Sequence, residues 1–307
     1  MIRIILTFAV SGILLLGCAG PDATPAASTK TSPVFAPPKL PTLVPIPTLP
    51  GSNVDVGGYS LYLYCTGAGS PTVILEAGLE GNSSSWKQVQ PEVAKFARVC
   101  SYDRAGLGNS DRGPVPRDAK LTTADLHTLL TKANIAPPYI LVGHSFGGLL
   151  IRRYAFEYPD EVTGTIFVDA LHEDWWQDAL ALLPADASND PERLSSFRNY
   201  LLRDWRNPLG NREVMEIPAV VEQVRETDGF GDLSITVLTA GIFNVLNPGL
   251  PPDLETSLAN LFRELQSRLA ELSTKGVQII VSDSGHDMPR ENPQAVIDAI
   301  REMTTTP

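Results

Sequence analysis

The chain has 307 residues, 43% of them hydrophobic and 19% charged, enough apolar material for one large core and too much for an intrinsically disordered chain. A net charge of −11 leaves no basic footprint for nucleic acid, so no nucleic-acid partner is expected.

The first 18 residues do not belong to that core. A single cation, Arg3, precedes the apolar run Ile4 to Leu16, which suits a signal-peptide core and falls short of the roughly 20 residues that span a bilayer. The run ends in Leu15-Leu16-Gly17-Cys18, which resembles the lipobox of bacterial lipoproteins. The resemblance implies lipidation at Cys18, export, and attachment to a membrane, with simple secretion or a signal anchor as alternatives. Residues 19–50 are rich in proline, alanine, threonine and serine without an apolar period; they read as an extended tether, or as a leader without a role. Residues 51–307 then form the folded domain.

From Val54 onward, strand-like and helix-like patterns alternate. Val54–Val56 and Tyr59–Cys65 form a hairpin around Gly57-Gly58. Strands follow at Thr72–Glu76, Arg98–Tyr102, Tyr139–Val142, Thr165–Asp169, Ser234–Thr239 and Val277–Val281. Helices fit Ser84–Phe96, Thr122–Asn134, Phe146–Tyr158, Asp253–Ser273 and Asn292–Met303. Such alternation predicts a parallel sheet covered on both faces, with its site beyond the carboxyl ends of the strands. Cys65 and Cys100 each lie at or near a strand end; in an oxidising compartment they pair, and in cytosol they are buried thiols.

The stretch Tyr139 to Tyr154 organises the rest. An apolar run stops at Gly143, and a helical pattern starts after Ser145, so Gly143-His144-Ser145-Phe146-Gly147 is a strand–turn–helix in which the Ser145 hydroxyl is pushed into the open. The five letters alone occur by chance in roughly one chain in ten of this length, so the surrounding elements carry the reading. By the logic of such an elbow, the backbone N–H groups of Phe146 and of Leu79, in the glycine-rich turn Glu76-Ala77-Gly78-Leu79-Glu80-Gly81, form an oxyanion hole.

Tyr102-Asp103-Arg104-Ala105-Gly106-Leu107-Gly108-Asn109-Ser110 follows the fourth strand. With Gly-His-Ser-Phe-Gly and Leu-Glu-Ala-Gly-Leu, it resembles the α/β-hydrolase superfamily, in the branch with a Tyr-Asp-Arg-x-Gly-x-Gly-x-Ser loop, over about residues 54–302. The resemblance implies the α/β-hydrolase fold: a mostly parallel central sheet flanked by helices, with a helical cap insertion between the sixth and seventh strands, here residues 171–232. It also implies that the second and fourth strands are neighbours, as a Cys65–Cys100 pairing needs, and that Asp103 and Arg104 brace their loop. Trp175, Trp176 and Trp205 in the cap either shape a substrate pocket or fill the cap's own core.

A serine needs a base and a carboxylate behind it. His127 falls on a helix as a surface residue, His144 points away from the task, and His172 opens an irregular region. His286, between strand 277–281 and the last helix, lies where the resembled family keeps its base. The acid falls between serine and histidine in chain order. The turn after the seventh strand offers Asn244 and no carboxylate, whereas some relatives use the end of the sixth strand. Asp169 is therefore the first choice, with Glu173, Asp174 and Asp253 as alternatives.

The expected activity is that of a carboxylesterase-like serine hydrolase acting on a small-molecule acyl substrate through Ser145, His286 and Asp169. No metal-ligand spacing or phosphate-cradling loop calls for a cofactor. Serine at position 145 disfavours the dehalogenase and epoxide hydrolase chemistry that resembling families perform with a carboxylate. Competing readings are peptidase, thioesterase or carbon–carbon hydrolase chemistry on the same triad, and a catalytically silent ligand-binding lipoprotein.

Overall fold

The computed structural model describes residues 51–187, 189–243 and 249–305. The expectations for residues 1–50, including lipidation at Cys18, and for the turn at Asn244 fall outside the described residues.

Among the described residues, eight strands form one sheet: β1 (Ser52–Asp55), β2 (Ser60–Thr66), β3 (Thr72–Glu76), β4 (Val99–Tyr102), β5 (Tyr139–His144), β6 (Val162–Val168), β7 (Ser234–Ala240) and β8 (Gly276–Val281). Their spatial order is β1-β2-β4-β3-β5-β6-β7-β8. β1/β2 and β2/β4 pair antiparallel and the rest parallel. β3 and β4 are buried along their whole length, as a strand covered on both faces must be, and both are apolar enough to allow it. The neighbouring of β2 and β4 sets Cys65 directly opposite Cys100, with Cα atoms 4.1 Å apart, and the two form a disulfide.

Helices α2 (Ala119–Lys132), α3 (Gly147–Glu157) and α7 (Pro252–Glu271) pack Leu126, Leu129, Ile151, Tyr154 and Leu269 on one sheet face. On the other, Trp86, Val93, Val296, Ile297 and Ile300 come from the segment after β3 and from α9 (Pro293–Thr305), which follows the single turn α8 (Met288–Glu291).

Two helices depart from the sequence reading for identifiable reasons. The helix predicted over 84–96 is broken into a 3₁₀ turn at Ser83–Trp86 and a single turn α1 at Gln90–Val93. Pro91 has no N–H and its ring collides with the carbonyl four residues back, so the helix can only restart with the proline in its first turn. α2 begins three residues earlier than predicted because the Asp118 carboxylate caps it, accepting from the Leu121 N–H at 2.8 Å. It ends before Asn134, which takes the left-handed conformation (φ 54°) that closes helices.

Between β6 and β7 stand α4 (Trp175–Ala181), α5 (Glu192–Leu202) and α6 (Ile217–Arg225), the helical cap. Trp175, Trp176 and Trp205 are buried in it: Trp176 stacks on Trp205 with centroids 4.9 Å apart, and Trp175 meets Phe262 of α7 edge-on at 5.4 Å. This favours the cap-core reading of the tryptophans, although Trp205 also contributes to a cleft described below.

Candidate active site

Ser145 sits at the turn between β5 and α3 with φ 53°, a left-handed conformation that costs a non-glycine residue about 1–3 kcal/mol. The strain is sustained by close packing of the flanking glycines. A Cβ on Gly143 would lie 2.6 Å from the Gly147 carbonyl oxygen, and one on Gly147 2.6 Å from that of Glu76, so only hydrogen fits at either position. The Ser145 backbone is locked as well: its N–H donates to Val168, and its carbonyl accepts from Gly148 and Leu171.

Three side chains far apart in the sequence meet here. The Ser145 hydroxyl lies 2.9 Å from His286 Nε2, and His286 Nδ1 lies 2.7 Å from Asp169 Oδ2. A carboxylate only accepts, so the ring proton belongs on Nδ1, which leaves Nε2 free to accept from the hydroxyl. Asp169 is fully buried, directly after β6, and itself holds a positive φ of 41°. Its second oxygen accepts from the Ala240 N–H at 2.8 Å and from Gln266 Nε2 at 2.9 Å. Gln266, on α7, is also fully buried and takes a hydrogen bond from Thr239. Sequence reasoning missed Gln266, because a glutamine within a helical pattern carries no motif.

The remaining candidates lie elsewhere. Glu173 pairs with Arg152, Asp174 with Arg225 and Arg268, and Asp253 is exposed in the first turn of α7. His172 Nδ1 accepts from the Asp174 N–H, and burial lowers its pKa. His127 is half-buried, not a free surface residue: α2 presents it against Tyr158, where the rings stack at 4.1 Å, and Glu161 Oε1 lies 3.1 Å from its Nε2. His144 does turn away from the serine hydroxyl, yet it reaches the site from behind. Its Nε2–H donates to the His286 carbonyl at 2.7 Å. Burial, with the proximity of His286, lowers its pKa from 6.5 to about 4, so it is neutral at pH 7.

The Leu79 and Phe146 N–H groups donate no hydrogen bond among the described residues, as groups reserved for a ligand oxygen would. The turn that carries Leu79 is held from beneath by Arg104. This fully buried guanidinium donates to the carbonyls of Ala77 and Gly78 at 2.7 and 2.6 Å, to Glu76 at 2.5 Å, and to both oxygens of Glu213 at 2.6 and 2.7 Å. Glu213, from the cap, also accepts from the Glu80 N–H at 2.7 Å. Burial opposes the charge on Arg104, but the two carboxylates outweigh it and raise its pKa. Burial raises that of Glu76, which Arg104 and the Tyr102 hydroxyl only partly offset. Asp103 accepts from Ser83 and Asn109, so both residues brace their loops as read from the sequence. Glu213 was not foreseen. Its role exists only through a contact across 109 positions of sequence.

Beside Leu79 opens a cleft of about 330 Å³, walled by Tyr200, Trp205 and Ile217 with Asn207 and Asn211 at its polar side.

The model of the alpha/beta hydrolase fold family matches residues 71–286. The chain belongs to the alpha/beta hydrolase fold family. Among curated proteins it is similar to the uncharacterized protein YqjL of Bacillus subtilis, 30% identical over 103 residues, which are 34% of this chain and 41% of that protein. The chain spans less than half the length of the curated relatives it matches. Among solved structures, mouse alpha/beta hydrolase domain-containing protein 10 aligns with TM-score 0.61 at 16% identity, over 83% of this hydrolase-fold chain and 98% of the other. A thermophilic esterase from Thermogutta terrifontis, malate bound, aligns with TM-score 0.55 at 19% identity, over 83% and 98%. These two likenesses concern the fold.

Proposed function

We propose that the chain is a serine hydrolase that cleaves a small ester, or a related acyl bond, through an acyl-enzyme. The observation that carries this reading is the unbroken line from the Ser145 hydroxyl through both nitrogens of His286 to the buried Asp169. Ser145 Oγ attacks the carbonyl carbon while its proton passes to His286 Nε2; Asp169 holds the imidazole in the accepting tautomer and offsets the imidazolium charge. The tetrahedral oxygen is received by the Phe146 and Leu79 N–H groups, a contribution worth about 3–4 kcal/mol per donor in comparable sites. The alcohol leaves with the proton from Nε2, and water then frees the acyl group by the reverse sequence. Neutral His144 spares the imidazolium a second positive charge behind it.

Leu79 also lines the cleft of about 330 Å³, whose other walls come from the cap. Esterase activity in the Thermogutta terrifontis structure agrees with this reading. Hydrolysis of a p-nitrophenyl ester series, run beside an aminoacyl substrate, tests it. A burst of nitrophenol equal to the enzyme present, absent from Ser145→Ala, is expected for esters. Turnover unchanged by Ser145→Ala would refute the proposal.

We also propose that Cys18 is lipidated and anchors the exported enzyme at a membrane. Incorporation of labelled palmitate that disappears in Cys18→Ser is the expected result; a Cys18→Ser chain still bound to membranes would refute it.

A further inference from the structure

A line of polar side chains runs to Asp169 from β8, at the edge of the sheet. Gln278, on β8, donates through Nε2 to the Arg263 carbonyl of α7 at 3.1 Å and to Thr239 Oγ1 at 3.0 Å. Thr239, on β7, donates to Gln266 Oε1 at 3.0 Å, and Gln266 Nε2 donates to Asp169 Oδ1 at 2.9 Å. Thr239, Gln266 and Asp169 are fully buried. The other buried residues of α7 are all leucine, phenylalanine or alanine, so the helix sets one amide into an otherwise apolar face. A buried amide destabilises the fold unless its polar atoms are bonded, and here both are.

The direction of these bonds is set at the outer end of the line. The Arg263 carbonyl can only accept, so Gln278 turns its Nε2 toward it, and the second proton on that nitrogen goes to Thr239 Oγ1. The proton of the threonine is then left for Gln266 Oε1, which leaves Gln266 Nε2 facing the carboxylate. A reversed amide at position 266 would set oxygen against oxygen at Asp169 and leave the Thr239 proton without an acceptor. Asp169 Oδ1 thereby receives two donors from different elements, the Ala240 N–H of β7 and Gln266 of α7, while Oδ2 is left to His286. With the Ala240 N–H alone, the carboxylate could swing about that single bond and carry Oδ2 off line; the second donor fixes its plane.

We propose that Gln266 is a positioning residue of the triad, oriented by Thr239 and through it by Gln278: it holds the plane of the Asp169 carboxylate so that Oδ2 meets His286 Nδ1. The kinetic consequence rests on the serine hydrolase reading, whereas the effect on the His286–Asp169 bond rests on geometry alone. Because Gln266 acts through Asp169, its loss falls on kcat and not on KM.

Two readouts on the full chain test it. The first is the low-field proton resonance of His286 Nδ1–H, hydrogen-bonded to a carboxylate and assigned by its loss in His286→Ala. The second is turnover of a p-nitrophenyl ester per folded molecule, counted from the cooperative unfolding transition. Gln266→Met keeps the length of the side chain without the amide; it should move or broaden the resonance and lower kcat about 10- to 100-fold, with KM changed by less than about twofold. Thr239→Val keeps the shape and loses only the hydroxyl. It should disturb the resonance in the same way and lower kcat about three- to tenfold, and Thr239→Ser should restore both. In the Asp169→Asn background, Gln266→Met should lower kcat no further, whereas damage to packing alone would multiply with the first loss. Resonance and kcat unchanged in Thr239→Val overturn the proposal, as does a full additional loss from Gln266→Met in Asp169→Asn; Gln266 would then only join α7 to β7. An unaltered chain that shows the resonance and cleaves no ester refutes the serine hydrolase reading instead, and the resonance of Gln266→Met and Thr239→Val still decides the positioning.

Discussion

The carboxyl rim of the sheet and the cap over it hold their side chains by different means. At the rim, each group that meets Ser145 or His286 is fixed by hydrogen bonds in which one partner is a backbone group, with Gln266 as a second holder of Asp169. Asp169 accepts from the Ala240 N–H, the His286 carbonyl accepts from His144, and the turn at Leu79 hangs by its own carbonyls from Arg104. In the cap, position comes from aromatic packing among Trp175, Trp176, Trp205 and Phe197, with Glu213 the ion-paired tie to the rim. Loss of one directional bond at the rim should therefore cost catalysis more than loss of one contact in the cap. That contrast orders the effects of substitution.

The largest loss is expected at the rim. Asp169→Asn keeps the shape of the site but favours the wrong tautomer of His286, so kcat on a p-nitrophenyl ester should fall about ten-thousandfold with folding intact. A kcat within tenfold of the unaltered enzyme would place the acid elsewhere.

Where cap meets rim, Glu213→Ala takes from the buried Arg104 one of its two carboxylate partners and leaves it Glu76 alone. Breaking a buried pair in this way costs about 3–5 kcal/mol, to be read by denaturant unfolding. Because Glu213 also holds the Glu80 N–H, kcat should drop more than KM rises. Equal stability in the variant would show that Glu213 is only a bystander.

Next comes a pH effect at His144. Its pKa is about 4 in the fold against 6.5 as the ordinary value, so between those limits the unfolded chain binds a proton that the folded chain does not. Stability should therefore be complete above pH 6.5 and decline as pH falls toward 4, by up to about 3 kcal/mol from this group. Unfolding midpoints followed from pH 7 to 4 should show a shallower decline for His144→Asn. An identical slope would remove His144 as the cause.

The smallest effect belongs to the cap. Tyr200→Phe removes the hydroxyl that receives the Trp176 Nε1–H, costing about 1 kcal/mol, or roughly 2–4 °C in unfolding midpoint. Ester specificity should shift through KM while kcat for a short ester stays the same. A large fall in kcat would erase the distinction between rim and cap.

The same contrast explains what could be read from sequence. The strands and the elbow at Ser145 were legible from local apolar runs and glycines, whereas the placing of β2 beside β4 and the choice of His286 and Asp169 came from the resemblance to the hydrolase superfamily and not from any local pattern. The cap's place between β6 and β7 was legible as a break in alternation, but its internal packing was not, since aromatic contacts among short helices have no period. Gln266 and Glu213 were invisible for a related reason: each acts on a partner 97 and 109 positions away, and nothing local marks a residue for a distant contact. The split of the helix predicted over 84–96 was legible in principle from Pro91 and was overridden by the apolar period around it.

Reaction of the intact chain with a fluorophosphonate, followed by mapping of the adduct, bears most directly on Ser145 as an activated nucleophile. One adduct per chain, on Ser145 and lost in His286→Ala, is predicted. Folded protein that takes up no phosphonate, or takes it up at another residue, would contradict the assignment.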